Sequence, residues 1–299
     1  MSIQWYPGHM TKARRAIAES MPSQDVIIEV LDARMPRASE NPAVAELRGQ
    51  KPCIKVLNKS DLADPAVTKA WLRHLEAEHP APSGGAPAGG QVLAIAISAS
   101  QSSEARRRIP ELCKRLAPPK NGPGKVVRAM IVGIPNVGKS TLINTLMERK
   151  VAKVGDEPAV TKSRQLVTLK SGMAISDNPG ILWPKIDDEA ASFRLAVGGA
   201  IPDTAIDYQS VAHFAAGYFL RRYPELLAAR YKLTDLPTTA AALIEEIGRR
   251  RGCLRGGGSV DLHKASDILV HDFRAGRLGR ISLEEPPGLE EPSGIEESA

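Results

Sequence analysis

Short apolar runs alternate with longer polar or amphipathic segments through the first two thirds of the chain. The clearest runs have the length of buried strands, and they cover residues 52–57, 92–97, 126–132 and 173–176. Each run is followed by Gly, Asn, Asp or Ser, which is typical of a turn where a strand ends. These runs predict an open α/β sheet whose strands direct their carboxyl ends at one site.

Beyond residue 200 the apolar positions follow a helical period instead. The predicted helices are residues 207–222, a helix to Arg251 capped by Thr238 or Thr239, and a helix to Arg274 capped by Asp261. The chain is therefore predicted to have a first domain at residues 1–200 and a small all-helical domain at residues 201–283.

The most informative stretch follows the run at 126–132 and reads Gly133-Ile-Pro-Asn-Val-Gly-Lys-Ser140. A strand, a glycine loop of this spacing and a helix form the GxxxxGK[ST] phosphate-binding loop. Its backbone N–H groups and the N-terminus of the helix form an anion site. We expect Lys139 to reach the β- and γ-phosphates and the Ser140 hydroxyl to ligate Mg²⁺. The predicted phosphate-binding residues are Asn136, Val137, Gly138, Lys139, Ser140, Thr141 and Gly180.

A second motif, Asn58-Lys59-Ser60-Asp61, ends the run at 52–57 and selects the base. Asp61 can accept hydrogen bonds from guanine N1–H and from its exocyclic amine, whereas adenine offers neither donor in that arrangement. Polar discrimination of this kind reaches roughly 10⁴-fold. We expect Asn58 to tie the loop to its neighbours and the Lys59 stem to cover the face of the base. Asp61 therefore disfavours a P-loop ATPase or a nucleotide kinase.

Further segments complete the predicted site. Ser98-Ala99 ends the run at 92–97, and the Ala99 N–H is expected to meet the guanine O6. In Asp177-Asn-Pro-Gly180, Asp177 is expected to hold Mg²⁺ through water, and the Gly180 N–H to meet the γ-phosphate. Thr161, in a polar loop, is the candidate second Mg²⁺ ligand, although Ser163 lies close to it.

The motifs occur in an unusual order, because the base-reading elements precede the phosphate-binding elements. In an ordinary small GTPase the phosphate loop leads, so this order predicts a circularly permuted Ras-like P-loop domain. Permutation is tolerated where chain termini are exposed and close together. The connector between the two halves is predicted at residues 117–125, and residues 80–90 have the composition of a flexible loop insertion.

Together with this order, Ile3-Gln-Trp-Tyr-Pro-Gly-His-Met10 resembles the ribosome biogenesis GTPase A family. Asp32-Ala-Arg-Met-Pro36 and Phe273-Arg-Ala-Gly-Arg-Leu-Gly-Arg-Ile-Ser282 are also similar to that family, and the resemblance covers residues 1–283. It implies a bacterial GTPase that helps to mature the large ribosomal subunit. We expect a cytoplasmic monomer that binds the immature subunit and promotes a late maturation step. The implied ligands are GTP or GDP with Mg²⁺, and the implied partners are the rRNA and ribosomal proteins of the precursor.

Two other functions are weighed against this one. Permuted GTPases that act on the small subunit have an added OB barrel and a Cys/His zinc site. The three cysteines here are far apart and form no CxxC pair, so a zinc module is not supported. The other function is a nucleotide-sensing RNA-binding module whose GTP hydrolysis is incidental.

Charge and composition indicate the kind of partner and the cellular compartment. The 299 residues have a formal net charge of +6, but residues 284–299 carry six Glu and no base. Residues 1–283 therefore hold 40 basic and 28 acidic residues, a net charge of +12, which favours a polyphosphate partner such as RNA. Residues 284–299 are predicted to be a disordered acidic tail. No apolar run is long enough for a membrane span, no signal peptide is visible, and the unpaired cysteines fit a reducing cytoplasm.

Basic side chains cluster near the N-terminus and in the predicted helical domain. A solvated charged face is the alternative to RNA contact for these residues. Only 4% of the residues are aromatic, so phosphate contact and shape are expected rather than base stacking. The RNA-binding candidates are Lys12, Arg14, Arg15, Arg249, Arg250, Arg251, Arg255, Arg274, Arg277 and Arg280.

The usual water-positioning residue is missing. Ras-like enzymes orient the attacking water with a Gln after the DxxG glycine, and here that place holds Ile181. An aliphatic side chain cannot hydrogen-bond water, so hydrolysis is expected to be slow alone and stimulated by ribosomal particles. His9, in a turn after Pro7-Gly8, is the candidate catalytic residue, and the family resemblance implies the same role. RNA contact or a helix cap is the alternative for His9.

Asn136 raises the question of a further cofactor. Related GTPases hold K⁺ at the side-chain carbonyl of this position, where a monovalent cation would stabilise charge between the β- and γ-phosphates. The alternative is that Asn136 only supports the turn.

Overall fold

The protein is described from a computed structural model. The structure describes residues 8–78, 90–98, 102–117, 126–147, 165–169, 172–177, 180–182, 186 and 188–288. The predicted insertion at 80–90, the connector at 117–125, Thr161 and Ala99 therefore lie wholly or largely outside the described residues.

Strands and helices alternate through the first part of the chain, and helices alone follow. The strands are β1 (Val26–Asp32), β2 (Cys53–Asn58), β3 (Val92–Ala96), β4 (Val127–Val132), β5 (Gln165–Thr168) and β6 (Met173–Asp177). The helices are α1 (Gly8–Ser20), α2 (Pro36–Ser39), α3 (Pro42–Arg48), α4 (Pro65–Ala77), α5 (Ser102–Leu116), α6 (Lys139–Met147), α7 (Glu189–Val197), α8 (Tyr208–Arg222), α9 (Pro224–Tyr231), α10 (Ala240–Arg250) and α11 (Leu262–Arg274). Short 3₁₀ turns cover Met21–Ser23 and Asp203–Ala205.

The strands form one six-stranded sheet in the order β3-β2-β1-β4-β6-β5. Every neighbouring pair is parallel except β5 and β6, which are antiparallel. From β1 the chain continues to β2 on one side, and from β4 it continues toward β6 on the other. Connections that diverge in this way leave a crevice at the carboxyl ends of β1 and β4, where open α/β sheets bind ligands. The predicted permuted α/β fold followed by a helical region is confirmed.

The helical region starts where its capping side chains predict. The side chain of Asp207 accepts hydrogen bonds from Gln209 N and Ser210 N at the start of α8. Thr239, and not Thr238, caps α10, while Asp261 caps α11. Local caps of this kind satisfy backbone N–H groups that have no partner within the helix.

One hydrophobic core continues from the sheet into the helical region. The same cluster of buried side chains includes Ile131 and Ile175 from the sheet and Val211, Phe219 and Phe273 from the helices. Two smaller clusters lie on the sheet beneath α1 and α4. Because the core crosses residue 200, the division into domains at 1–200 and 201–283 stays a proposal. Among the described helices, none is both long and apolar enough to cross a bilayer.

The chain after α11 returns to the first domain and packs there. Residues 281–285, here called the C-terminal strap, include Glu284, which is only 6% exposed. Trp71 Nε1 donates a hydrogen bond to the Glu284 carbonyl at 3.2 Å, and Ala38 N donates to the Glu284 carboxylate at 3.1 Å. The predicted start of the acidic tail at residue 284 was therefore wrong, because Glu284 is an anchor of the fold. Residues 289–299 lie outside the described part.

Replacing Glu284 with glutamine is expected to change how stability depends on pH. Burial raises the pKa of Glu284 from 4.5 to about 7, although Arg194 and two backbone N–H groups oppose the rise. A carboxyl with a raised pKa binds its proton more tightly in the folded state, so its contribution is lost as pH rises from about 4.5 to 7. Between pH 5 and 8, wild type should lose about 2 kcal/mol relative to Glu284→Gln. Urea unfolding at both pH values measures this, and parallel pH profiles would contradict it.

Candidate nucleotide site

The phosphate loop begins where β4 stops short of its neighbour β1. Val132 pairs with Glu29, so the loop leaves the sheet beside Val30. At Gly133 (φ +150°) a Cβ atom would lie 2.4 Å from the Val30 carbonyl oxygen. At Gly138 (φ +98°) a Cβ atom would lie 2.2 Å from Asn58 Nδ2. Both positions require glycine, because a side chain would collide with the strand or with the neighbouring loop.

Helix α6 starts at Lys139, directly after this loop. Lys139 is 6% exposed, and its Nζ donates a hydrogen bond to the Ile134 carbonyl at 2.7 Å. Its ammonium group is thus held across the mouth of the loop. Ser140 and Thr141 follow in the first turn of α6 and are half-buried. The positive end of the helix dipole and the lysine charge point to the same place, which suits a phosphate group.

Gly180 lies against the phosphate loop. A Cβ atom at this position would lie 2.8 Å from Lys139 Nζ and 2.7 Å from Pro135 N. The next residue, Ile181, donates from its backbone N–H to the Gly133 carbonyl at 3.3 Å. Asp177 is the last residue of β6, which is the neighbour of β4, but its side chain lies outside the described part. The structure therefore brings Gly180 to the predicted position beside the loop and does not address Thr161.

The base-reading loop is joined directly to the phosphate loop. Asn58 Nδ2 donates a hydrogen bond to the Val137 carbonyl at 2.8 Å. This is the tie that the sequence led us to expect. Lys59 has φ +61°, and Leu62 N donates to its carbonyl at 2.9 Å, which closes a tight turn around the half-buried Asp61.

The end of β3 supports the same loop. Ser60 N donates a hydrogen bond to the Ile97 carbonyl at 3.2 Å. Ser98, the next residue of that segment, is buried. The carboxyl ends of β2, β3, β4 and β6 therefore meet in one place, as the predicted site requires. The arrangement suits a guanine nucleotide, with the phosphates at α6 and the base at the turn after β2.

Asn136 connects the phosphate loop to the end of α7. Its φ is +55°, and its Nδ2 donates a hydrogen bond to the Gly199 carbonyl at 2.9 Å. This bond fixes the orientation of the amide and links the loop to the segment that leads into the helical region. Asn136 therefore supports more than its own turn, and a K⁺ site at its carbonyl oxygen stays a prediction.

Ile181 is 1% exposed and packs into the cluster beneath α1. Ala13 and Ile17 of α1 belong to the same cluster. Asn41 Nδ2 donates a hydrogen bond to the Ile181 carbonyl at 3.0 Å, which holds the residue in place from α3. The side chain at the usual water-positioning place therefore faces the core, and α1 covers the same face of the sheet.

The sequence-based prediction missed a buried charge cluster next to the base-reading loop. It consists of Asp32 at the end of β1, Arg34 and Lys59, with Asp32 and Arg34 no more than 1% exposed. Although burial alone would raise the pKa of Asp32, Arg34 and Lys59 hold it well below its usual range. The sequence did contain a signal for this cluster in Asp32-Ala-Arg-Met-Pro36. Two opposite charges directly follow an apolar run there, and charges that become buried must be paired.

The RNA-binding candidates separate into exposed and inward-facing groups. Arg274 was predicted to face RNA, and this was wrong for its guanidinium. Its Nε donates to the Val197 carbonyl at 3.1 Å and its Nη2 donates to the Ala196 carbonyl at 2.9 Å, so it caps α7. The last carbonyls of a helix attract a cation in this way. Arg274 therefore joins the two regions of the fold.

The other candidates lie closer to the surface, and several have acidic partners. Arg15 pairs with Glu19 at 2.8 Å, and Arg250 pairs with Glu246 at 2.6 Å. Asp272 accepts a hydrogen bond from Arg277 at 3.2 Å and lies 3.8 Å from Arg251. Lys12 and Arg280 are exposed, as are Arg14, Arg249 and Arg255. Exposed ion pairs contribute about 0–1 kcal/mol, so phosphate groups can compete for Arg15 and Arg250.

Comparison with known proteins agrees with this geometry. Residues 128–206 match the family described as 50S ribosome-binding GTPase. Ribosome biogenesis GTPase A of Bacillus cereus is 42% identical over 294 residues, covering 96% of this chain and 95% of the relative. The protein of that name from Thermotoga maritima is 31% identical and covers 95% of each.

A solved structure shares the fold over nearly the whole chain. The GNP-bound crystal structure of YlqF from Thermotoga maritima superimposes with a TM-score of 0.61 at 27% identity, covering 92% of this chain and 99% of that one. The chain is a GTPase that binds guanine nucleotides. The permuted order of motifs, the joined base and phosphate loops and these near full-length matches place the chain in the ribosome biogenesis GTPase A family.

Proposed function

We propose that the chain is a GTP-hydrolysing assembly factor that binds the immature large ribosomal subunit and promotes a late step of its maturation. The observation that carries this proposal is the bond from Asn58 to Val137, which joins a base-reading loop to a phosphate loop in a strongly basic chain. The names of the relatives, and the family described as 50S ribosome-binding GTPase, support the ribosomal partner.

Within this proposal, each predicted site residue has a separate role in holding the nucleotide. Asp61 reads the guanine edge, Lys139 neutralises the β- and γ-phosphates, and the Gly180 N–H meets the γ-phosphate. Ser140 of α6 and Thr161 would hold Mg²⁺ directly, and Asp177 would hold it through water. When bound there, Mg²⁺ would supply charge stabilisation for the transferred phosphoryl group.

His9 supplies the polar group that Ile181 lacks. The burial of Ile181 beneath α1 supports this assignment, because Ala13 of α1 packs in the same cluster. His9 precedes Ala13 by one helical turn, or about 6 Å along the axis. The histidine backbone therefore begins a helix that covers the face of the sheet on which Ile181 lies. A ribosomal particle that contacts α1 would place the imidazole and so stimulate hydrolysis.

The basic surface of α10 and of the segment after α11 contacts rRNA phosphates. Arg249, Arg250, Arg251, Arg277 and Arg280 are the proposed contacts there, and Lys12, Arg14 and Arg15 are the proposed contacts on α1. Residues 1–200 thus act as the nucleotide switch and residues 201–283 as the anchor. The protein is expected to be a cytoplasmic monomer.

Particle binding is expected to depend on both the nucleotide and salt. The γ-phosphate orders the loops that carry Gly180 and Thr161 only in the GTP state, so large-subunit precursors should bind more tightly with a GTP analogue than with GDP. Phosphate contacts release counterions, so the affinity should fall steeply with salt. Co-sedimentation with purified precursor particles at two salt concentrations measures both effects.

Two outcomes separate the alternatives. Equal particle affinity with GDP and with the analogue would rule out the switch. Nucleotide-dependent binding without any rise in the GTPase rate would favour the nucleotide-sensing RNA-binding module instead. By linkage, a particle that prefers the GTP state must also raise GTP affinity by the same factor.

His9→Ala is expected to separate nucleotide binding from hydrolysis. Nucleotide affinity should remain near that of wild type, while hydrolysis on the particle should fall by a factor of about 10 or more, because positioned general acid or base groups contribute 10²–10⁴-fold. Single-turnover GTP hydrolysis with and without particles measures this. His213→Ala is the matched control, since His213 is exposed on α8. Wild-type hydrolysis by His9→Ala on the particle would exclude His9.

A further inference from the structure

The buried charge cluster beside the base-reading loop is a continuous hydrogen-bonded network. Asp32 Oδ1 accepts a hydrogen bond from Arg34 Nε at 2.9 Å, and Oδ2 accepts one from Arg34 Nη2 at 2.8 Å. Lys59 Nζ donates to the same Oδ2 at 2.9 Å. A single carboxylate at the end of β1 therefore holds both the guanidinium of Arg34 and the lysine of the base-reading motif.

Arg34 carries this network into the helical region. Its guanidinium carbon lies 4.5 Å from the centroid of the Phe273 ring, and its Nη1 donates to the Phe273 carbonyl at 3.4 Å. Phe273 is in the last turn of α11 and is 3% exposed. A guanidinium stacked on an aromatic face and shielded from water is held more firmly than one at the surface. The position of α11 thus bears directly on the orientation of Arg34.

The other end of the base-reading loop also contacts the helical region and the C-terminal strap. Ile281 N donates a hydrogen bond to the Leu62 carbonyl at 3.0 Å. At Gly276 the φ of +70° favours glycine, and a Cβ atom there would lie 2.5 Å from Leu62 Cδ2, so the two residues are in close contact. The strap also binds Arg34 itself, since Leu283 N donates to the Arg34 carbonyl at 2.6 Å. Asp61 therefore lies between Lys59 and Leu62. Leu62 contacts residues after α11 directly, and Lys59 is connected to α11 through Asp32 and Arg34.

We propose that Asp32 and Arg34 are positioning residues for guanine recognition, acting through Lys59, and that they make guanine affinity depend on how α11 and the C-terminal strap are docked. The proposal rests on the proposed guanine-reading role of residues 58–61. Neither Asp32 nor Arg34 contacts the base. They set the conformation of the lysine that covers it.

The conformation of Lys59 explains why such support is needed. A non-glycine residue in the left-handed region is strained, by about 1–2 kcal/mol, and persists only when its surroundings hold it there. Burial also lowers the pKa of Lys59, and Asp32 opposes that shift. The Asp32 carboxylate in turn is buried and requires the fork of Arg34 to remain in place, because an unpaired buried charge is costly. Loosening Arg34 should therefore release Lys59 and the turn around Asp61.

The test is a double-mutant cycle on GDP affinity, measured by isothermal titration calorimetry on the full chain. Arg34→Lys keeps the charge but loses the fork and the stacked plane. We expect it to raise the Kd for GDP about tenfold, within the range of coupling between residues in one network. In a Lys59→Met background the same substitution should change the Kd by less than about twofold, because the residue that it acts through is gone. Equal factors in the two backgrounds would overturn the proposal.

Two further variants separate positioning from simple loss of structure. Arg108→Lys makes the same change in an arginine–glutamate pair of α5, in which Arg108 Nη1 donates to Glu104 at 2.7 Å. This control should leave GDP affinity unchanged. Phe273→Leu removes the ring beneath Arg34 and should raise the Kd about threefold, within the same range of coupling. If folded Phe273→Leu protein binds GDP as tightly as wild type, the proposed dependence of GDP affinity on α11 is refuted.

The result can be distinguished from a failure of the proposed guanine site. If Asp61→Asn does not exchange guanine for xanthine preference, the base-reading assignment itself is wrong. If that exchange occurs and the cycle is additive, only the positioning role of Asp32 and Arg34 is refuted.

Discussion

Replacing Lys139 with alanine is expected to abolish tight binding of both GDP and GTP. The ammonium group lies across the mouth of the phosphate loop, where the Ile134 carbonyl holds it at 2.7 Å. Lys139 is nearly buried, so its interaction with phosphate is weakly screened by water. Loss of a buried, charge-assisted contact of this kind costs about 2–5 kcal/mol, so the Kd should rise at least about 30-fold. Calorimetric titration with GDP and a GTP analogue measures the effect.

The control for this substitution is another lysine that donates to backbone carbonyls. Lys51 Nζ donates to the Gln24 carbonyl at 2.8 Å, and Lys51 precedes β2, at the opposite end of the sheet from the site. Lys51→Ala should leave GDP affinity unchanged. Alanine is a good helix former, so Lys139→Ala should also keep α6 intact, which thermal unfolding checks. If Lys139→Ala protein binds GDP as tightly as wild type, the loop at residues 133–140 does not bind the nucleotide phosphates.

Replacing Asp61 with asparagine is expected to exchange the base preference. The carboxylate accepts from guanine N1–H and the exocyclic amine, whereas an asparagine amide donates to the C2 carbonyl of xanthine. A site built around buried polar groups rejects a base that leaves them unpaired, and such discrimination reaches roughly 10⁴-fold. The ratio of GDP to xanthosine diphosphate affinity should therefore invert. Competition against a fluorescent nucleotide measures both affinities in one assay.

Asp64 provides the matched control, because it lies three residues further along the same turn. Its side chain caps α4 by accepting from Ala66 N and Val67 N. Asparagine is an equally good N-cap, so Asp64→Asn should keep both the fold and the preference for guanine. Unchanged affinities of Asp61→Asn for the two nucleotides would contradict the guanine assignment.

Local sequence signals predicted which loops meet at the ends of the strands. The tie from Asn58 to the phosphate loop and the approach of Gly180 to Lys139 follow from motifs that each end a strand. Strand ends of a parallel sheet converge, so finding the strands was sufficient to bring these motifs together. The cap at Asp261 was equally predictable, because a capping side chain bonds to backbone only two or three residues away. For α10 the sequence left Thr238 and Thr239 as alternatives, and the structure has Thr239.

Long-range partners could not be predicted in the same way. Arg274 has the composition of a surface charge but caps α7, with partners 77 and 78 residues earlier in the chain. Glu284 looked like the first residue of a solvated tail, yet its carboxylate accepts hydrogen bonds from the backbone of Arg37 and Ala38. The sequence does not show whether a charged residue is solvated or buried with a partner. Only the folded chain supplies the partner that offsets the cost of removing the charge from water.

The sequence by itself thus determined the class of enzyme and the permuted order of its base-reading and phosphate loops, since both depend on contiguous motifs. The tertiary structure alone decided how those loops are supported. Arg34 lies 239 residues from Phe273, and no periodicity or spacing connects the two positions. Their contact exists because the fold packs Arg34, next to the end of β1, against α11 and the C-terminal strap, and the buried carboxylate of Asp32 requires its cations to be in place.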